Sequence, residues 1–568
     1  MILQALNGYY ERLADDPENE MPTIGFSNQK AHFALLINRE GKLLQAPYDI
    51  RVKEGKKMIP REISAPAVKR ASGISSNFTW DNTGYVLGAD NKGRPERALK
   101  TFEAFREFHH QLCDDTEDEG LQALLGFLDT WNPENVSAFD HWEDIAGQNI
   151  VFQLEGEHRF IHERPAVKKI WSHYQEQNAS EISGRCLVSG KNDEPIARLH
   201  PPIKGVRGAQ TSGASIVSFN RDAFTSYNKK QSFNAPVSEG AAFAYTTALN
   251  HLLSANSRQK LQIGDATTVF WSERDSPMEG FMGLLFDHTD NDNEKIRNFL
   301  EAARKGKYPE EFENNPDMRF FILGLSPNAS RLSVRFWHVS TVKEICEKIA
   351  QHFSDLSIAR QYDNDPEFPG MWQLLRETAV LQKPDNISPV LAGAFMRSIL
   401  TGQEYPQSLL SAVIGRIRSD QRINYLRAAM IKACLARKYR NHNFEMEVAM
   451  GLDKDSENIA YRLGRLFAVL EKVQGDAIPG AKATIKDRYF GSASATPGAV
   501  FPQLLRLAQH HIQKAEYGHV SDKRIEEIVA TITHFPAHLK IEDQGLFSLG
   551  YYHQRPELFK KSEKKKEK

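Results

Sequence analysis

The sequence predicts an α+β fold class: a mixed N-terminal α/β portion with short antiparallel sheets, followed by an all-α C-terminal helical bundle. Three observations predict it. Short runs rich in β-branched and aromatic residues, bounded by turn formers, recur as far as Thr341 and then nearly stop. The last of them, Arg319–Leu325 and Arg331–Val339, flank the turn-forming 326–330 and read as a hairpin. Further on, Ile459, Leu463, Leu466, Phe467, Leu470 and Val473 make one apolar stripe at helical spacing. The expected organisation is a mixed domain over 1–364, a basic helical connection over 365–445 and a helical bundle over 446–559. A lysine-rich, disordered tail over 560–568 ends the chain.

In chain order, Ile2, Leu3, Leu6, Tyr10 and Leu13 predict a short amphipathic helix, not a secretory leader, because Glu11 and the acidic 15–18 interrupt it. Residues 23–25 and 32–37 read as strands, with 25–30 between them as a polar connection carrying Asn28, Gln29 and Lys30. The basic stretch around Lys53, Lys56 and Lys57 with Gly55 reads as a solvated loop. In 72–88, Phe78, Trp80 and Tyr85 sit among Asn77, Asp81 and Asn82. Either the rings are core anchors, or they hold a loop from which Asn77 faces a base edge. Helical spacing returns at 95–113, 121–131, 166–175 and 236–253, and strand patterns at 149–154, 261–264 and 267–271. After 365 the helices are expected at 371–381, 389–400, 408–418 and 422–437. Arg397, Arg416, Arg418, Arg422, Arg427, Lys432, Arg437, Lys438 and Arg440 on them are either a solvated face or a track for a nucleic-acid backbone. In the bundle, Asp455 or Ser456 can cap the helix that carries the apolar stripe. Helices at 504–515, 525–532 and 545–552 complete it.

The stretch 185–220 organises the rest. Two apolar runs, 186–188 and 195–199, flank a cluster of turn formers and predict a hairpin. Pro201 and Pro202 then lead into a loop with glycines at 205, 208 and 213, followed by the strand-like 214–219. Glycines let a backbone approach another surface closely. Lys204, Arg207, Gln210, Thr211 and Ser212 give the loop cations and neutral hydrogen-bond donors. That combination suits phosphate and base-edge contacts better than proton transfer.

Composition excludes little but narrows the choice. The net charge is −1 over 568 residues, so any nucleic-acid surface must be local. Cys113, Cys186, Cys346 and Cys434 are far apart, which argues against a structural zinc site and a disulfide framework and fits a reducing cytoplasm. No apolar run approaches the ~18 residues of a membrane span. The chain carries neither a phosphate-binding GxxxxGK[ST] nor a HExxH motif. Cys186 reads as a half-buried strand residue, and His109 and His110 as an exposed helix pair. Asp287, Asp290 and Asp292 read as a polar loop rather than a metal site. These readings favour binding over catalysis, with no catalytic residue, metal or cofactor assigned.

Long segments resemble a known family. The opening Met1–Leu6, Ser76–Asn82 and Gly84–Gly88, the run from Ile196 through Asn220, then Asn234–Val237 and Ala242–Asn250, and finally Tyr461–Glu471 and Gly550–Arg555 are similar to the large subunit of the type I-C CRISPR effector complex (Cascade). The resemblance implies a non-catalytic subunit. It would read a protospacer-adjacent motif in double-stranded target DNA, help part the strands into an R-loop, and recruit a helicase–nuclease, while a guide RNA supplies sequence by pairing. Its partners would be that guide RNA, the backbone and small subunits, the target DNA and the helicase–nuclease, with no membrane. Lys30, Asn77, Gln210 and Thr211 are the residues expected at the motif, and Lys204 and Arg207 the ones expected at phosphates. The family's gene can also yield the small subunit by internal initiation, for which Met446 and Met450 stand at a suitable place. A guide-RNA-processing endonuclease and a purely structural scaffold are the alternatives.

Overall fold

The computed structural model describes residues 1–16, 19, 21–55, 57–68, 73–286, 293–304, 316–445 and 447–559. Met446, Lys56, the aspartates 287, 290 and 292, and the tail lie outside the described residues. The chain forms two compact units, 1–205 with 209–255 and 327–332, and 206–208 with 256–326 and 333–568. The expected boundaries at 364 and 445 both fall inside the second unit.

The first unit begins with the expected amphipathic helix, Ile2–Ala14, which packs Leu6, Tyr9 and Leu13 inward. Its strands are β1 (Phe26–Ala31), β2 (Phe33–Ile37), β3 (Tyr48–Asp49), β4 (Val52–Glu54), β5 (Lys57–Ile59), β6 (Arg61–Pro66), β7 (Trp80–Asn82) and β8 (Asn149–Leu154). The central sheet runs β3-β2-β8-β7. Within it β2 and β8 are parallel, Phe33 opposite Ile150, an exception among otherwise antiparallel pairs. A parallel pair needs a long crossover, and helices Pro95–Cys113 and Glu119–Thr130 lie along it. The polar connection expected before His32 is in fact β1, antiparallel to β6 with Lys30 opposite Glu62. Its alternate polar residues face out, a half-exposed pattern that a search for apolar runs passes over. The basic stretch at 52–59 is likewise a hairpin, β4 with β5.

Phe78 is fully buried, and Trp80 and Tyr85 nearly so; the rings are core anchors. Phe78 stacks on Trp171 at 5.7 Å, and the Trp80 indole N–H donates to the Pro66 carbonyl at 2.6 Å. His109 is buried, not exposed as its helix position suggested. Its Nε2 accepts from the Thr79 amide at 2.8 Å, so its Nδ1–H donates to the Phe105 carbonyl at 2.7 Å. Burial lowers its pKa to about 4, which keeps the ring neutral and this pairing intact at physiological pH.

In the second unit, β9 (Lys260–Ile263), β10 (Ala266–Ser272), β11 (Arg319–Asn328) and β12 (Arg331–Thr341) form a sheet in that order. After Thr341 the described residues are helical or irregular. One continuous apolar core runs from Ile263 to Leu558. Helix Ile459–Ala477 starts at Asn458, whose side chain accepts from the Tyr461 amide, rather than at Asp455 or Ser456. It crosses helix Ile541–Phe559 backbone to backbone. A Cβ on Gly464 would collide with the Phe547 carbonyl, and one on Gly550 with the Tyr461 carbonyl.

The basic residues of 397–440 are mostly spent inside this unit. Arg427 pairs with Glu377 at 2.8 Å and with Asp420 at 2.6 Å. Fully buried Arg437 pairs with Asp355 at 2.7 Å, and Arg440 reaches the same carboxylate at 2.9 Å. Arg416 pairs with Asp420, Lys438 with Glu542, and the Lys432 ammonium donates to the Ser354 carbonyl. Arg397, Arg418 and Arg422 are left exposed, too few and too scattered along the chain to make the backbone track that the charge run offered.

The helix crossing yields a stability prediction. Gly464→Ala overpacks it and should cost about 1–3 kcal/mol or more. Gly475→Ala, exposed on the same helix with open space for a methyl, should gain about 0.5–1 kcal/mol. The shift of the urea unfolding midpoint checks both signs.

Candidate nucleic-acid interface

The glycine loop is closed by its own backbone. Ile203 and Ala214 exchange both amide–carbonyl bonds at 2.8 Å, an isolated antiparallel bridge. No strand follows at 214–219; Ala214 pairs with Ile203, and Ser215 bonds to Ser330 and Leu332 at the tip of the β11–β12 connection. The hairpin expected before the loop is present but shifted: Ser183–Gly184 pairs with Glu194–Pro195, and 186–190 form the turn.

Helix Glu239–Leu252 fixes the foot of the loop. Its residue Asn250 accepts from the Lys204 amide at 2.8 Å and donates to the Pro202 carbonyl at 3.1 Å. One turn earlier, Tyr245 bonds buried His200 through its hydroxyl, 2.6 Å from Nδ1. Gly205 has φ +90° and sits so close to the end of that helix that a Cβ would lie 2.6 Å from the Leu253 carbonyl oxygen. Gly213 has φ +101°, and a Cβ there would meet Pro202 at 2.6 Å. Only glycine satisfies both the left-handed backbone and the close approach.

Beyond this clamp the tip is open. Gln210, Thr211 and Ser212 are exposed, and their side chains have no hydrogen-bond partner among the described residues. The Gln210 carbonyl accepts from the Gly213 amide at 2.9 Å, which sets a tight turn. A glutamine amide and two hydroxyls are thus presented on a fixed backbone, each able to donate and accept.

Lys204 stands at the foot, and the fold brings Lys30 of β1 into electrostatic reach of it. Desolvation lowers the Lys204 pKa, and the Lys30 charge lowers it further. An anion near Lys204 would relieve that repulsion. Arg207 is exposed, and its amide donates to the Thr267 hydroxyl at 3.1 Å within the second unit. Asn77 is corrected. It is 5% exposed, and its Oδ1 accepts from the Val68 amide at 3.2 Å. Its own amide donates to Asp81 at 3.0 Å. This side chain holds its loop; a base edge would reach it only if the loop opened.

Sequence reasoning missed Asn250, which positions the loop. The available signal was a poor helix former inside a run of alanines and leucines. It also missed the Lys30–Lys204 pairing, which nothing local in the sequence encodes. Elsewhere, the Cys186 thiol is buried and accepts from the Val188, Ser189 and Ser238 amides, at 3.2 Å from the last. Among the described residues no cluster of histidine, cysteine or carboxylates is arranged to hold a metal, and no helix is long and apolar enough to cross a membrane.

A lowered lysine pKa is directly measurable. At pH 8 the Lys204 amine should acetylate faster than ordinary surface lysines, because more of it is neutral. Lys30→Ala should slow it by raising that pKa. Competitive labelling with mass spectrometry reads both; a rate unaffected by the substitution would show that the two cations do not interact.

No curated protein matches the chain. The family model described as CRISPR-associated protein (Cas_Csd1) matches residues 6–559, nearly the whole length, including the glycine loop, its helical clamp and the bundle. The chain therefore belongs to the Csd1 family of CRISPR-associated proteins.

Proposed function

We propose that this chain is the large, non-catalytic subunit of a type I-C Cascade complex. In this reading it recognises the protospacer-adjacent motif in double-stranded DNA, starts strand opening for the R-loop, and recruits a helicase–nuclease. It would work in the cytoplasm with guide RNA and with backbone and small subunits. The observation that carries the proposal is the glycine loop: a locked stem, an exposed tip of neutral donors and acceptors, and Lys204 at its foot. Neutral amides and hydroxyls read base edges, whereas cations hold phosphates in register. A glutamine paired bidentately to adenine discriminates by about 1–3 kcal/mol. The same side chain on a stiff loop can wedge into the first opened base pair, where unstacking costs roughly a few kcal/mol. Family membership supports the setting, and the loop supports the role within it.

Gln210→Ala tests the wedge. In the reconstituted complex it should slow opening of a duplex target about tenfold, equivalent to ~1.4 kcal/mol of barrier. First encounter should change little, and a target already open at that position should restore the rate. 2-Aminopurine at the first target base pair reports opening. Equal losses on closed and pre-opened targets would reduce Gln210 to a positioning contact.

The same reading proposes that initiation at Met446 or Met450 releases the bundle as a separate small subunit. Met450 is more than half exposed in the segment between helices Tyr425–Asn441 and Ile459–Ala477. A C-terminally tagged gene should give a second band of roughly 120 residues, an ordinary domain size. That band should survive mutation of the first start codon and vanish when both internal methionine codons are changed.

A further inference from the structure

A second projection of the first unit is not used by the reading above. Ser226–Lys229 forms a tight turn in which Tyr227 and Asn228 both have left-handed backbones, φ +49° and +56°. The Lys229 amide donates to the Ser226 carbonyl at 2.9 Å. Two consecutive left-handed residues define a type I′ turn, which asparagine and glycine adopt readily and a bulky aromatic does not. Yet the ring of Tyr227 is 95% exposed. A residue that strains the backbone and buries nothing contributes nothing to folding. Its side chain has no partner among the described residues.

The turn is nevertheless held stiffly. Asn234 accepts from the Ser226 amide at 2.8 Å through Oδ1. Through Nδ2 it donates to the Lys229 and Gln231 carbonyls at 2.5 and 2.9 Å. The Ser232 amide donates to the Arg198 carbonyl at 3.2 Å, tying the segment to the chain that leads into the glycine loop. On the other side the Arg331 guanidinium lies 4.8 Å from the Phe224 ring, and Ser330 and Leu332 bond Ser215 just past the loop. Both projections therefore spring from one platform. Within residues 221–230, Arg221, Lys229 and Lys230 are exposed, against one acidic residue, Asp222.

We propose that Tyr227 is a stacking post for an unpaired base of a single-stranded nucleic acid, with Lys229 and Lys230 holding the adjoining phosphates. Aromatic faces accept any base, and nearby cations track the backbone, which is how single strands are held without sequence preference. A fixed turn avoids the entropy cost of ordering the post on binding. This rests on the nucleic-acid role proposed above and extends it from reading a duplex to retaining a strand once it is parted.

The test titrates the full-length chain with a labelled fifteen-nucleotide oligothymidylate and with an abasic strand of the same length, at fixed low salt. Tyr227→Ala should weaken oligothymidylate binding about fivefold or more, the lower end of what one stacked base contributes. It should leave the abasic strand unchanged, and Tyr227→Trp should bind as well as the original. Asn234→Ala, which frees the turn, should lose part of the same preference for bases. Lys229→Ala with Lys230→Ala should weaken both strands alike and flatten the salt dependence. The proposal is overturned if the unaltered chain does not distinguish the two strands or fails to bind either. It is also overturned if Tyr227→Ala binds both strands normally but loses a protein subunit from the assembled complex. Neither strand carries a recognition motif, so failure here leaves motif reading untouched, and failure of motif reading leaves this result standing.

Discussion

The pair of backbone hydrogen bonds between Ile203 and Ala214 is the constraint on which the functional surface depends. It closes the glycine loop at its base, and Asn250 holds the same base from the side. Closing a short loop is an entropic cost met once, on folding. In the proposed function, a tip that is already ordered would give up little more on meeting DNA, so more of the contact energy would be available for discrimination. Gly205 and Gly213 are where this closure needs glycine, because a methyl at either would strike backbone or proline.

Charge is distributed by use rather than by density. The basic run at 397–440 looked like a nucleic-acid track, but Arg427, Arg437, Arg440 and Lys438 find carboxylates within the unit. Arg427 and Arg437 are buried, and a buried guanidinium without such a partner would be strongly destabilising, so these two are committed to the fold. Exposed cations of the first unit include Lys30 and Lys204, which interact electrostatically, and Arg221, Lys229 and Lys230 on the segment of the exposed tyrosine. A chain with net charge −1 can thus present a local anion-binding surface without a global one.

Much of this was legible in the sequence, and the failures have physical causes. Helix Pro95–Cys113 and strand β8 were read to the residue, since proline at the first turn and a β-branched run are strong local signals. The glycine loop was read as a close-approach element because glycine and proline punctuation is local too. β1 escapes a search for apolar runs because its outward face is polar, and 214–219 reads as a strand because it is rich in apolar and β-branched residues, yet it forms only isolated bridges at Ala214 and Ser215. Asn77 and His109 are polar by type but buried: Asn77 is held by its neighbours Val68 and Asp81, and His109 by Thr79, thirty residues away. Unit boundaries were the least legible, because the apolar core of the second unit runs through helices that look separable in sequence.

The central claim is that this chain reads the motif and opens the duplex. The most direct measurement is target binding by the reconstituted complex with and without the chain, at fixed salt. Closed duplexes would differ only in the adjacent motif, and a pre-opened bubble would be compared with them. The account predicts that removing the chain abolishes binding to the closed duplex and its motif preference, while binding to the bubble survives. Closed-duplex binding that persists with its motif preference intact would contradict it and assign recognition to another subunit.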